Sequence, residues 1–157
     1  QGGGDMVDKV TFEKTTYNIL PFKFEAGTTN YAGAIGLAAA LDYVSEIGRA
    51  DIAAREKQLL EIATKEILDI KGVRIFGTAP EKVSVLSFLP GEVHQYDAGM
   101  ILDKMGIAVR TGTHCAQPIM DRFGITGTVR ASIAFYNTEE EMHMLARGVK
   151  QVMEMFA

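Results

Sequence analysis

The strongest constraint on this chain is an alternation that begins at Asn30. Apolar stretches with helical spacing alternate with short strand-like runs, and glycines separate them. In GAIGLAAALDYVSEIG, Ile35, Ala38, Ala39, Leu41, Val44 and Ile47 share one side of a helix, and Gly48 provides its C-terminal stop. A second helix carries a stripe of Ile52, Leu59, Ile62, Ala63, Ile67 and Ile70, with Glu56, Lys57, Glu61, Lys65 and Glu66 mostly off it. Lys71 and Gly72 close that helix with a cation at its negative end and a glycine beyond it. The runs VRIF (73–76) and VSVLSFL (83–89), joined by the turn-rich GTAPEK, predict an antiparallel pair of strands. A helix from Tyr96 to Met105, capped near Asp97, stops at Gly106, and IAVR (107–110) reads as another strand. Pro118 suits the first turn of a short helix, PIMDRF, that Gly124 ends. TVRASIAF (128–135) is a further strand, and Thr138 with Glu141 forms a capping box for a last helix from Glu139 to about Met155. This order predicts an α+β fold, a small, mainly antiparallel sheet with helices packed on one face.

The first two dozen residues differ. Three consecutive glycines, Gly2 to Gly4, suit a loop, and residues 7–24 read as extended arms, as though the tail of something larger. A length of 157 residues is enough for one domain with a real core. A net charge of −4, with 16 basic residues scattered along the chain, argues against nucleic acid and anionic membranes as partners. No apolar run approaches the roughly 18 residues of a membrane span, and the amino terminus lacks the regions of a signal peptide. One cysteine forms no internal disulfide, which suits a reducing cytoplasm, and a cysteine-rich zinc site is excluded. The common nucleotide, hydrolase and zinc-protease motifs are all missing.

Three features carry chemistry. Cys115 lies in RTGTHCAQP, among small or polar neighbours, whereas an inert cysteine is usually a small buried hydrophobe. The segment follows a strand and precedes a helix start, with His114 and Arg110 close by, a setting that favours the thiolate. A protease-like Cys–His pair is disfavoured, because adjacent residues of an extended segment point apart. Arg130 sits inside an apolar strand, where it either faces solvent or clamps a carboxylate through two parallel hydrogen bonds. FEAGTTN (24–30) places hydroxyls and backbone N–H groups before a helix, where a phosphate could be held. His94 and His143 read as surface residues.

In order along the chain, G-G-G-x-M, F-E-A-G-T-x-N, R-T-G-x-H-C-A-x-P and V-R-A-S-x-A-x-Y-N-T-x-E-E resemble the C-terminal part of group II, or SufS-type, cysteine desulfurases. These are class V aminotransferase relatives, a group that also contains selenocysteine lyases. The resemblance implies the small C-terminal domain of a fold-type-I pyridoxal-phosphate enzyme over residues 25–157, preceded by a residual segment of the large domain over residues 1–24. It implies that Cys115 takes sulfur from L-cysteine (or selenium from L-selenocysteine) as a persulfide and that L-alanine leaves, with the cofactor as electron sink. Arg130 would grip the substrate α-carboxylate, Arg110 and His114 would line the site, and Thr28 would reach the cofactor phosphate of a partner subunit. The implied partners are a second copy of the parent enzyme and a sulfur acceptor of the SufE or SufU kind, for iron–sulfur cluster assembly or other sulfur delivery in the cytoplasm.

The family's Schiff-base lysine follows a histidine in S-x-H-K, and this chain has no such segment; the large domain's pyridine-nitrogen aspartate and ring-stacking histidine are also missing. The expectation is therefore a C-terminal portion that is inactive alone and does not bind pyridoxal 5′-phosphate by itself. Kynureninase-like or isopenicillin-epimerase-like relatives do not need the cysteine, so R-T-G-T-H-C argues against them. A stand-alone interaction module for sulfur-transfer partners is the non-enzyme alternative.

Overall fold

A computed structural model describes residues 2–156. The chain divides into two compact units between Ile47 and Gly48. In the first, strands β1 (Val7–Val10) and β2 (Thr15–Tyr17) form an antiparallel hairpin. The Thr11 amide donates to the Lys14 carbonyl at 2.9 Å and closes the hairpin's turn. A single 3-10 turn, Phe22–Phe24, precedes helix α1 (Tyr31–Ile47), whose first turn is capped by the Asn30 side chain accepting from the Gly33 amide at 2.9 Å. The predicted helix is present, yet none of its residues is buried, and Ile35 is 70% exposed. The stripe thus reports helical spacing correctly without reporting burial.

The second unit contains α2 (Arg49–Leu68), β3 (Val73–Phe76), β4 (Val85–Pro90), α3 (Gln95–Lys104), β5 (Arg110–Gly112), α4 (Gln117–Phe123), β6 (Thr128–Ser132) and α5 (Glu139–Met155). Its four strands run antiparallel in the order β3-β4-β6-β5. Leu59, Ala63 and Ile67 of α2, Ala98 and Leu102 of α3, and Leu145, Val149 and Val152 of α5 bury against Leu86, Phe88, Val129 and Ala131 of the sheet. The three long helices therefore occupy one face, as expected. The short α4 lies on the other. Its Phe123 packs edge-on against Phe76, with ring centroids 5.4 Å apart. Phe76 alternates with the core-facing Ile75 and so points away from the long helices. Gly148 lets α5 approach closely: a Cβ there would sit 2.5 Å from Ile107 Cδ1 and 2.9 Å from Leu102 Cδ2.

Several details differ from the sequence reading: β4 covers 85–90 and not 83–89, and β6 ends at Ser132 and not at 135. The strand expected at 107–110 begins at Arg110, and residues 107–109 are coil. Ile107 and Val109 still pack on the core, while the Ile107 amide turns back to the Leu102 carbonyl at 2.9 Å. Their alternation thus reflects packing and not ladder pairing. Helix α3 is capped by His94, whose Nδ1 accepts from the Tyr96 amide at 3.4 Å, and not by Asp97, which lies in the first turn. His143 is half-buried between helices, with its Nδ1 2.5 Å from Glu66 Oε1.

The capping box at α5 is present as read. The Glu141 amide donates to Thr138 Oγ1 at 3.2 Å, and the Thr138 amide donates to Glu141 Oε2 at 2.7 Å. Hydrogen bonds from the Thr138 backbone and the Asn137 side chain hold the Glu141 carboxyl below the ordinary glutamate range. Its contribution is present above that range and is lost as pH falls through the depressed value. Thr138→Ala is expected to lower unfolding stability by about 1 kcal/mol. A lower urea midpoint at unchanged m-value checks this.

Candidate active site

The register of the sheet builds the site. Ser87 of β4 pairs with Arg130 of β6, which pairs with Arg110 of β5. Val129 and Ala131 face the core, so period-2 alternation turns Arg130 to the opposite face, with Ser87 and Arg110 beside it. Directly paired side chains in an antiparallel sheet sit with Cβ atoms roughly 5 Å apart, and like charges placed so are destabilising. Two guanidinium groups in this arrangement call for an anion between or above them. Arg130 is half-buried, and its Nε is buried without a hydrogen-bond partner. A donor left in that state is poised for an acceptor that the chain itself does not provide.

Beyond β5, the chain does not run on as the extended segment expected around the cysteine. His114 (φ 54°) and Cys115 (φ 58°) are both left-handed, and the Ala116 amide donates to the Thr113 carbonyl at 2.9 Å to close a tight turn. Neither residue is glycine or asparagine, so both are strained at these angles. The turn lifts Cys115 into solvent as a free, exposed thiol. Gly112 precedes the turn at φ 113°, and a side chain there would collide with Tyr96 Oη at 3.0 Å.

His114 points back into the unit. Its Nε2 lies 3.2 Å from the Thr128 carbonyl and 2.9 Å from Thr128 Oγ1. A carbonyl only accepts, so this geometry assigns the proton to Nε2 and leaves Nδ1 with the lone pair, buried and unpartnered. Burial first, then the Arg130 and Arg110 charges, lower the imidazole's pKa, against the Thr128 carbonyl, which raises it. His114 is therefore neutral at pH 7.

Of the residues singled out in the sequence, Arg110, His114, Cys115 and Arg130 come together on β5, β6 and the turn between β5 and α4. Thr28 belongs to the other unit, in an exposed bend between the 3-10 turn and α1. Thr128 was missed, since a threonine at the head of a strand carries no signal of its own. Gln95 was also missed. It is 3% exposed, and its Oε1 accepts from Thr126 Oγ1 at 3.3 Å, just before β6.

Residues 1–145 match the family described as aminotransferase class-V. The chain belongs to that family. It is 49% identical, over 96% of its length, to a probable cysteine desulfurase of Xylella fastidiosa (strain Temecula1 / ATCC 700964), covering 36% of that protein. It is 51% identical, over 97% of its length, to a cysteine desulfurase of Synechococcus elongatus, covering 24% of it. The crystal structure of the cysteine desulfurase CsdA from Escherichia coli superposes with a TM-score of 0.82 at 37% identity, over 99% of this chain and 38% of that one. The α+β arrangement is thus that of fold-type-I pyridoxal-phosphate enzymes, and the chain spans about a third or less of the length of these relatives.

The family implies pyridoxal 5′-phosphate, which needs a lysine amine for its aldehyde. The residues gathered here supply two guanidinium groups, an imidazole, hydroxyls and a thiol, with no lysine among them. The buried orphan on Arg130 is a donor suited to a carboxylate. These residues suit an anionic group such as a carboxylate and do not supply the amine that the cofactor's aldehyde needs.

The His114 ring is expected to titrate below the ordinary histidine value of about 6.5, followed by NMR. Arg130→Gln moves it upward but, with burial retained, not fully back. Because the folded state disfavours the imidazolium, this group weakens the fold as pH falls from the ordinary value through the lowered one.

Proposed function

We propose that this chain is the C-terminal portion of a SufS-type cysteine desulfurase and that Cys115 is its sulfur acceptor. The observation that carries the reading is the pairing of Arg130 with Arg110 across β5 and β6, with a buried unpaired Nε on Arg130 and the exposed Cys115 on the turn that follows β5. Arg130 takes the α-carboxylate of L-cysteine through two parallel hydrogen bonds, the geometry that guanidinium offers and ammonium does not. Arg110 adds positive charge at the same place, and neutral His114 lines the site.

The Cys115 thiolate attacks the sulfur of the bound amino acid. A Cys115–S bond forms and the substrate Cβ–S bond breaks with its electron pair left at Cβ, which takes up a proton; the products are a Cys115 persulfide and L-alanine. The persulfide, exposed on its turn, then passes to a sulfur-acceptor protein of the SufE or SufU kind for iron–sulfur cluster assembly. Pyridoxal 5′-phosphate would be held by the remainder of the parent homodimer, with Thr28 reaching its phosphate from the partner subunit, and would supply the electron sink; the working compartment is the cytoplasm. Among the described residues, no helix is long and apolar enough to cross a membrane.

Two assays test this. The chain alone, mixed with L-cysteine, pyridoxal phosphate and a reductant, releases no sulfide; Cys115-dependent turnover would refute its dependence on the rest of the parent enzyme. In the parent-length enzyme, Cys115→Ala reduces alanine release to background. Arg130→Gln lowers kcat/KM there by roughly 10- to 150-fold, the worth of hydrogen bonds to a charged group. Unchanged kcat/KM would remove Arg130 from the site.

A further inference from the structure

The strained turn that carries Cys115 needs something to hold it. The hydrogen bond closing it, from the Ala116 amide to the Thr113 carbonyl, is local and spans only two residues. Both of those residues are left-handed, a conformation costly for any residue but glycine and more so for cysteine than for histidine. A right-handed alternative is therefore intrinsically favoured for each, and an attachment from outside the turn must oppose it.

Among the described residues, the one side-chain hydrogen bond that ties this turn to another element is His114 to Thr128. Thr128 is 2% exposed, in direct register with Gly112 on β5, so it is a rigid anchor. Both its carbonyl and its hydroxyl meet His114 Nε2, at 3.2 and 2.9 Å. The carbonyl is supplied by any residue at this position; the hydroxyl is specific to threonine or serine. Behind Thr128, Gly127 is closely packed: a Cβ there would be 2.8 Å from Gln95 Nε2 and 2.8 Å from the Gly112 carbonyl. The β6 entry, the end of β5 and the first residue of α3 are thus packed against one another beneath the turn.

We propose that Thr128 is a positioning residue for Cys115, its hydroxyl holding His114 and thereby the left-handed turn that presents the thiol. This rests on the reading of Cys115 as the sulfur acceptor for its functional meaning. The physical claim, that the Thr128 hydroxyl stabilises the turn, is independent of turnover.

The test uses the 157-residue chain and amide hydrogen exchange at Ala116, whose N–H closes the turn. Thr128→Val, which keeps the shape and removes the hydroxyl, is expected to speed exchange at Ala116 by roughly 2- to 10-fold, the worth of one net hydrogen bond. Thr128→Ser restores the wild-type rate. His114→Asn keeps a residue tolerant of left-handed backbone but is too short to reach Thr128, and it speeds exchange by a similar factor. The double variant exchanges no faster than His114→Asn alone, because the Thr128 hydroxyl reaches the turn only through His114. Wild-type exchange in Thr128→Val, a Thr128→Ser variant that behaves like Thr128→Val, or additive effects in the double variant would each overturn the proposal. If Thr128→Val fails to fold, Thr128→Ser and His114→Asn decide it: the first must match wild type and the second must not. Because sulfide release is not read, failure of the sulfur-accepting role would show in the parent-length Cys115→Ala assay and leave this result intact.

Discussion

Burial of Val129 and Ala131 against the long helices decides which way Arg130 points, and the rest of the site follows from that. Strand side chains alternate with period two, so a slip of one residue in β6 would bury the guanidinium and expose the core. Leu86 and Phe88 lock β4 in the same sense, placing Ser87 beside Arg130. The opposite edge is held by only three pairs, from Arg110 to Gly112, and those pairs set Arg110 directly against Arg130. A core built from α2, α3 and α5 thus aims two positive charges at the face it does not occupy.

The same short β5 explains why the cysteine sits on a turn. Residues 107–109 pack apolar side chains on the core without ladder bonds, so pairing starts late and ends at Gly112. Gly112 carries a φ of 113° that redirects the chain, and α4 begins at Gln117. Four residues remain to turn from sheet edge to helix. Two of them, His114 and Cys115, become left-handed, and the His114 ring folds back on Thr128 where it neighbours Arg130. Strand length, turn handedness and imidazole placement are one arrangement.

Much of this was legible in the residues. The glycine stops at Gly48, Gly106 and Gly124, the bounds of β3, and the Thr138–Glu141 box all follow from local rules whose residues sit within four positions of one another. Arg130 stood out because an arginine inside an apolar strand is costly. What was not legible is non-local. Nothing near IAVR reveals that Arg110 pairs with a residue twenty positions later. Nothing in T-H-C announces two left-handed residues, since that conformation is imposed from Thr128 and not preferred by histidine or cysteine. The spacing in α1 read correctly as helix, but periodicity states which residues share a side and not whether that side is covered. The family resemblance supplied roles for these residues that pattern alone could not.

The second unit therefore tolerates several unfavourable features in one place. Arg110 and Arg130 repel each other across the sheet, Arg130 keeps a buried donor unpaired, His114 keeps a buried acceptor unpaired, and two residues are held in a sparse region of backbone space. Each unpaired buried group costs on the order of 1–3 kcal/mol, and each strained residue a similar amount. In an ordinary surface region such costs would be removed by substitution with no structural penalty, since the core lies on the other face of the sheet. Their concentration around the only thiol of the chain is what separates this face from a merely solvated one. A carboxylate would answer the Arg130 donor and the cross-strand repulsion together, while a group with a proton to donate would answer His114 Nδ1.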